Sequence, residues 1–399
     1  MRTVKRNPFL SGVCAILGGV FLWAGTAKAD VTSDEAAAIL VIPKLVFDPI
    51  GRFSPNLKPT DTEIQVTNVS SDPIKLRCFY VNANAHCTNS PADVCFATSD
   101  CQQFGLGGLC IDGWIETDFE FTLTKFQPIV WRISEGLTSI PLAEQGLNIG
   151  SIPPVGETPF RGELKCVAVG PDDSPVDSNV LKSEATIVAA DKSGIDARGY
   201  NGIGVQAVQG ANDGDNTLIL GGDDPEYNGC PSVLILDHFF DDAVEPIDGD
   251  VVKTHLTCVP CSQNFVLQNV ALFDTPLQFL VFNEFEQRFS ASRKLRCWHE
   301  FELCSLDQGW DRPIGNFDPN FNSCRRSIFS AFVSGTLTGQ TRIRGVDQDD
   351  PQHGNGVLCV AEEFFLDDPD GDLDSIHSSD AFNLHQVGQR VRPDIIQLP

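Results

Sequence analysis

An all-β fold of two tandem, disulfide-bonded sandwiches is predicted by three observations. Short segments of strand character dominate, several of them alternating apolar and polar residues, and helical periodicity is nearly absent. Lys75-Leu76-Arg77-Cys78 recurs as Lys294-Leu295-Arg296-Cys297, and Leu164-Lys165-Cys166-Val167-Ala168 is echoed by Leu358-Cys359-Val360-Ala361. The 399 residues also carry 14 cysteines, a number suited to a disulfide framework. An internal repeat of this kind sets the architecture before anything else is read.

Residues 30–190 form the first predicted domain. Ile39 to Phe47 is an apolar run, and Thr62 to Val69 alternates. Ser70-Ser71-Asp72-Pro73 is a turn, so Ile74 to Asn82 is expected to return as a hairpin partner. Asp118 to Lys125, Ile129 to Ile133, Glu163 to Val169 and Ala185 to Ala189 complete about seven strands, the signature of a two-sheet, immunoglobulin-like sandwich. Ser33 to Leu40 is the best helical candidate. Residues 191–229 are rich in Gly, Asp and Asn and are expected to be an ordered linker, with apolar runs at Ile203 to Val208 and Thr217 to Leu220.

Residues 230–399 form the second predicted domain. Ser232 to Phe240 opens it, and Gln278 to Phe285 with Lys294 to Leu303 gives a hairpin. Phe329 to Leu337, Thr341 to Val346, Gly356 to Phe365 and Ala381 to Val387 follow. Both copies resemble the immunoglobulin-like modules of bacterial surface proteins.

The repeat implies the bridges Cys78–Cys166 and Cys297–Cys359, each tying an early strand to a late one as an inter-sheet bridge does. Cys87, Cys95, Cys101 and Cys110 make a two-disulfide insertion at about 87–110, with three possible connectivities. Cys304 and Cys324 bracket a second insertion. Of Cys230, Cys258 and Cys261, a bridge from Cys261 to Cys230 is preferred, leaving one thiol over.

Residues 1–29 read as a secretory signal peptide: Arg2, Lys5 and Arg6, an apolar stretch from Phe9 to Trp23, then Ala27-Lys28-Ala29. Val13 before Cys14 is too bulky for lipoprotein processing. No later apolar stretch is long enough to span a membrane as a helix. The expected location is periplasmic or extracellular. Without the four basic residues of that segment, 24 basic face 54 acidic residues, a net charge near −30. Such a field disfavours nucleic acid as a partner.

Candidate chemistry is sparse. Asp368, Asp370, Asp372 and Asp374 space carboxylates as calcium loops do, which makes calcium the candidate cofactor, although Leu373 and Ser379 stand where an EF-hand needs Gly and Glu. Asn212 to Leu218 resembles one nonapeptide of the RTX type, without the tandem copies that complete such sites, so a turn is the simpler reading. Asp237, His238 and Asp241 gather ligands for a metal-dependent hydrolase. Glu284 with Glu286, and Glu362 with Glu363, imitate glycosidase pairs. Cys258-Val259-Pro260-Cys261 has thiol-oxidoreductase spacing. The adjacent pairs Phe239-Phe240 and Phe364-Phe365 cannot both point inward on a strand, so one of each must be covered by something else.

No zincin, nucleophile-elbow or phosphate-loop motif is present. The expected role is therefore non-catalytic: adhesion, envelope structure, or binding of a protein or glycan. The hydrolase and the thiol oxidoreductase are the alternatives.

Overall fold

A computed structural model describes residues 31–51, 58–95, 98–105, 107–112, 115–138, 150–190, 194–267, 274–307, 324–346, 354–367 and 376–399. Its dominant feature is four large antiparallel sheets in two facing pairs. The first pair consists of a five-stranded sheet, in the order 203–205, 39–47, 160–169, 74–82, 115–123, and a four-stranded sheet ordered 195–201, 181–190, 60–68, 128–132. Leu76, Tyr80 and Leu164 of the one pack with Ile64, Trp131 and Ile187 of the other in a single core. The Trp131 indole Nε1 donates to the Tyr80 hydroxyl at 2.7 Å.

The second pair repeats this sandwich-like layering. Its five-stranded sheet runs 288–296, 274–283, 338–345, 231–239, 385–389, and its four-stranded sheet 299–302, 251–260, 357–366, 376–383. Leu236, Phe279 and Ile343 pack with Leu256, Phe301 and Ala361.

The inner sheets of the two pairs also face each other. Phe79 stacks on Phe265 with ring centroids 4.0 Å apart. The Lys165 ammonium donates to the Pro260 carbonyl at 2.9 Å, and the Trp298 indole to the Pro43 carbonyl at 2.7 Å. This stacking explains the burial of Val251–Pro260 at every position. One of its faces meets a core and the other meets the partner domain, so it lacks the alternation that marks a half-exposed strand. For this reason the segment carries no strand signature in its sequence.

Several expectations are corrected. The strands Thr60–Asn68 and Ile74–Asn82 do not pair; the turn between them carries the chain from one sheet to the other. Ser33 to Leu40 is not helical: the Ala37 and Ala38 amides donate to Leu181 and Val205, leading into the strand Ile39–Phe47. Residues 331–334, inside the run expected as a strand, form one helical turn capped by Ser330. The linker contributes Ile195–Asn201 and Ile203–Val205 to the first pair of sheets, while Thr217–Leu220 pairs with Asp394–Gln397.

The largest correction concerns the repeated tetrapeptide. Cys78 and Cys166 are bonded, but as direct cross-strand neighbours within one sheet rather than between sheets. In the second pair the same position is held by Cys258 and Cys359, also direct cross-strand partners. Cys297 forms no disulfide. The reason is topological. Lys294 to Arg296 end an edge strand of the outer sheet, and the chain crosses at Cys297 (φ 49°) to enter the other sheet at His299. The counterpart of Lys75-Leu76-Arg77-Cys78 by position is thus His255-Leu256-Thr257-Cys258, which shares only its Leu and Cys.

The other bridges are Cys87–Cys101, Cys95–Cys110, Cys230–Cys261 and Cys304–Cys324. Thiol titration of residues 30–399 should find none reactive when native and one, the buried Cys297, in denaturant. Replacing Cys258 and Cys359 by Ala should lower unfolding stability by roughly 2–5 kcal/mol in chemical denaturation.

Candidate functional site

The predicted cluster Asp237, His238 and Asp241 is dispersed by strand alternation. His238 points inward and is buried, with Nδ1 2.7 Å from the Phe239 carbonyl and Nε2 2.8 Å from the Thr341 hydroxyl. Burial lowers its pKa to about 4, so the imidazole is neutral and both nitrogens are engaged. Asp237 is exposed on the opposite face and accepts from the Gln340 amide at 2.9 Å. Asp241 lies beyond the strand end, buried, accepting from the Thr254 and Cys304 backbone amides at 2.8 Å each. It ties the 304–324 insertion to the neighbouring strand, and its carboxyl is pushed well up by desolvation.

Cys258 and Cys261 do not form a redox pair. Cys258 is bonded to Cys359 and Cys261 to Cys230, because successive side chains of an extended strand diverge. Asp368, Asp370, Asp372 and Asp374 lie outside the described residues. In the segment Asn212 to Thr217 the side chains of Asn212, Asp213 and Asp215 each accept from the amide two residues on, closing successive turns.

A buried polar centre that the sequence did not announce sits between the inner sheets. The Lys44 ammonium contacts Glu300 at 2.5 Å and also Glu362. Arg198 Nε reaches Glu362 at 2.8 Å, and its guanidinium also pairs with Asp196. His255 Nδ1 lies 3.2 Å from Glu300. His255, Glu300 and Glu362 are close enough to share a metal ion. The lysine ammonium already stands between Glu300 and Glu362, where a metal ion would sit, and Arg198 adds a second positive charge against Glu362 and Asp196. Although burial opposes it, Lys44 attraction carries Glu300 down to about 2 and Glu362 below the usual range. The centre is structural.

A concave feature with converging polar groups lies at one end of the second pair of sheets. It encloses about 510 Å³ and is lined on one side by Asp237 and Phe239, on the other by Phe282, Asn283 and Glu284, with Thr338 and Gln340 of the strand between them. Glu363 reaches in from the adjoining sheet, its carboxylate accepting from the Phe239 amide at 3.2 Å. Desolvation raises the Glu363 pKa to about 7. Glu284 accepts from the Thr338 amide and hydroxyl at 3.0 and 2.9 Å, which holds its pKa low.

The adjacent pair Glu362-Glu363 is thereby split between two environments, the domain interface and this cleft. Glu284 and Glu286 also part: Glu284 lines the cleft, while Glu286 takes the left-handed conformation in the hairpin turn (φ 59°). The aromatic pairs divide in the same way. Phe240 and Phe364 are fully buried, Phe364 under the Arg198 guanidinium at 4.9 Å, while Phe239 and Phe365 meet edge to face.

No protein-family model matches the chain, and no curated protein matches it.

Lys44→Ala should destabilise the fold by about 3–5 kcal/mol, since it strands buried carboxylates. The depressed Glu300 pKa gives a defined pH response. The folded state binds fewer protons than the unfolded one between the ordinary glutamate range near 4.5 and about 2. Unfolding stability should therefore be present above that window and fall as pH drops through it, and Glu300→Gln should flatten the acid limb of the curve.

Proposed function

We propose that the chain is an exported, non-catalytic binding protein. Its two modules are tandem immunoglobulin-like sandwiches, and its partner is a protein or glycan engaged at the end of the second module. The observation that carries this reading is the cleft between Phe239 and Phe282. It combines aromatic walls with amide and carboxylate groups, the composition of a site for a polar ligand with apolar faces. The six disulfides, and the lack among the described residues of any helix able to cross a membrane, support an exported setting. The hydrolase alternative loses support because Asp237, His238 and Asp241 serve separate structural partners. The thiol-oxidoreductase alternative loses it because Cys258 and Cys261 belong to different bridges.

The reading is tested by probing a glycan array with labelled protein. Phe282→Ala and Gln340→Ala should each weaken retention about tenfold or more while leaving thermal unfolding unchanged. Because Glu363 is neutral below about pH 7 and charged above it, retention should change across that pH in the parent and stay level in Glu363→Gln. Hydrolysis of chromogenic glycosides or esters by the parent, abolished in Glu363→Gln, would instead make the cleft catalytic and sink the binding assignment.

A further inference from the structure

We infer that the outer face of the five-stranded sheet in the second module binds an acidic polysaccharide. This deepens the proposed binding function and rests on it, because the face is continuous with the cleft through Asp237, Phe282 and Gln340.

Among the described residues no element covers the face, and its charge runs against the composition of the chain. With 28 basic and 54 acidic residues, the protein has a net charge of −26. Strand register nevertheless puts Arg288, Lys294, Arg342 and Arg344 on this one face, all exposed. The carboxylates near them are already engaged or stand at its ends: Asp237 accepts from Gln340, Glu284 holds the Thr338 amide and hydroxyl at the cleft, and Asp274 opens its strand opposite Arg296.

The cations follow a track. Arg288 lies in the same row as Phe282 and Gln340, Arg342 stands in the next row, and Arg344 in the one after. Successive rows are about 7 Å apart, two residues along a strand. The track ends in a cleft of about 260 Å³ lined by Arg344, Arg390 and Arg392.

The arginines are also held in place. The Arg342 guanidinium lies over the Phe282 ring at 5.3 Å, and Arg344 Nε donates to the Gln278 side chain at 2.7 Å. Arg390 Nε pairs with Asp394 at 3.0 Å. Fixed guanidiniums lose less conformational entropy on meeting an anion than free ones do.

The other groups on the face choose among anions. Ser290, Ser292 and Gln278 stand between the cations, short polar side chains that suit sugar hydroxyls. The exposed arginines stand on the sheet surface, whereas a protein partner's aromatic or arginine anchors need a deep, desolvated pocket. A linear chain with an anionic group on each sugar matches a row of spaced cations. At about 0.1 M salt the screening length is about 10 Å, so a ligand on this face senses the local arginines more than the distant acids.

The test uses the exported chain and two probes, heparin for sulfate and polygalacturonate for carboxylate, in titration calorimetry over a range of salt. At least one should bind, with affinity falling as salt rises. The double variant Arg342→Ala/Arg344→Ala should weaken it tenfold or more and reduce the salt dependence. Arg132→Ala/Lys182→Ala, on the outer face of the first module, should leave it unchanged. Equal loss in both double variants would overturn the assignment to this face. Polyglutamate bound as tightly at matched charge would overturn the polysaccharide in favour of an acidic protein. If neither probe binds while Phe282→Ala still lowers glycan-array retention, the polysaccharide assignment fails and the cleft reading stands. If array retention is absent as well, both fail.

Discussion

The Lys44 ammonium, buried between Glu300 and Glu362, is the constraint on which the arrangement of the molecule turns. A charge removed from water is tolerated only with partners at contact distance, and each partner here belongs to the opposite module. Lys44 comes from the first module's opening strand, the glutamates from the second module's inner sheet, and Arg198 from the segment that joins them. Sliding one inner sheet across the other would leave ions unpaired in a dry interface. The apolar surroundings supply most of the attraction between the modules, while the ions restrict it to one register. Glu163, Lys165 and Gln263 make a second polar contact of the same kind.

That register determines which surfaces remain available. The central strands of each inner sheet are covered on both faces, so the broadest exposed surfaces are the two outer sheets and the ends of the modules. The outer sheets carry different chemistry. The face of the first module sets Arg132 beside Glu63, whereas the face of the second lines up arginines with little acid between them. The cleft opens where this second face ends, bounded by a hairpin and by Glu363 from the neighbouring sheet. Both proposed ligand surfaces thus depend on the second module presenting its outer sheet to solvent.

The two cross-strand disulfides illustrate how sequence similarity and structural position part company. Cys166 and Cys359 are matched by the short motif around them, and both sit in a strand next to their bonded partner. The repeated Lys-Leu-Arg-Cys misleads because a tetrapeptide fits the end of many strands. What defines the position is a fully buried strand beside the late cysteine, and in the second module that strand is Val251–Pro260. Its buried Lys253, Thr254, His255 and Thr257 resemble an exposed segment by composition alone.

Local chemistry was enough to determine strand content, the apolar runs Ile39–Phe47 and Ile74–Asn82, the insertion cysteines and the acidic charge. Each depends on residues close in sequence: period-two alternation, turn residues and composition. Strand pairing, the dispersal of Asp237, His238 and Asp241, the division of Glu362 from Glu363, and the arginine track were decided only by tertiary structure. Alternation sends neighbouring residues to opposite faces, and pairing between distant strands chooses their company. Arg288 and Arg342 are far apart in sequence and lie two strands apart on one face, while Asp237 and His238 are adjacent and point apart. Contacts of that kind arise from the packing of the sheets, and no local pattern encodes them.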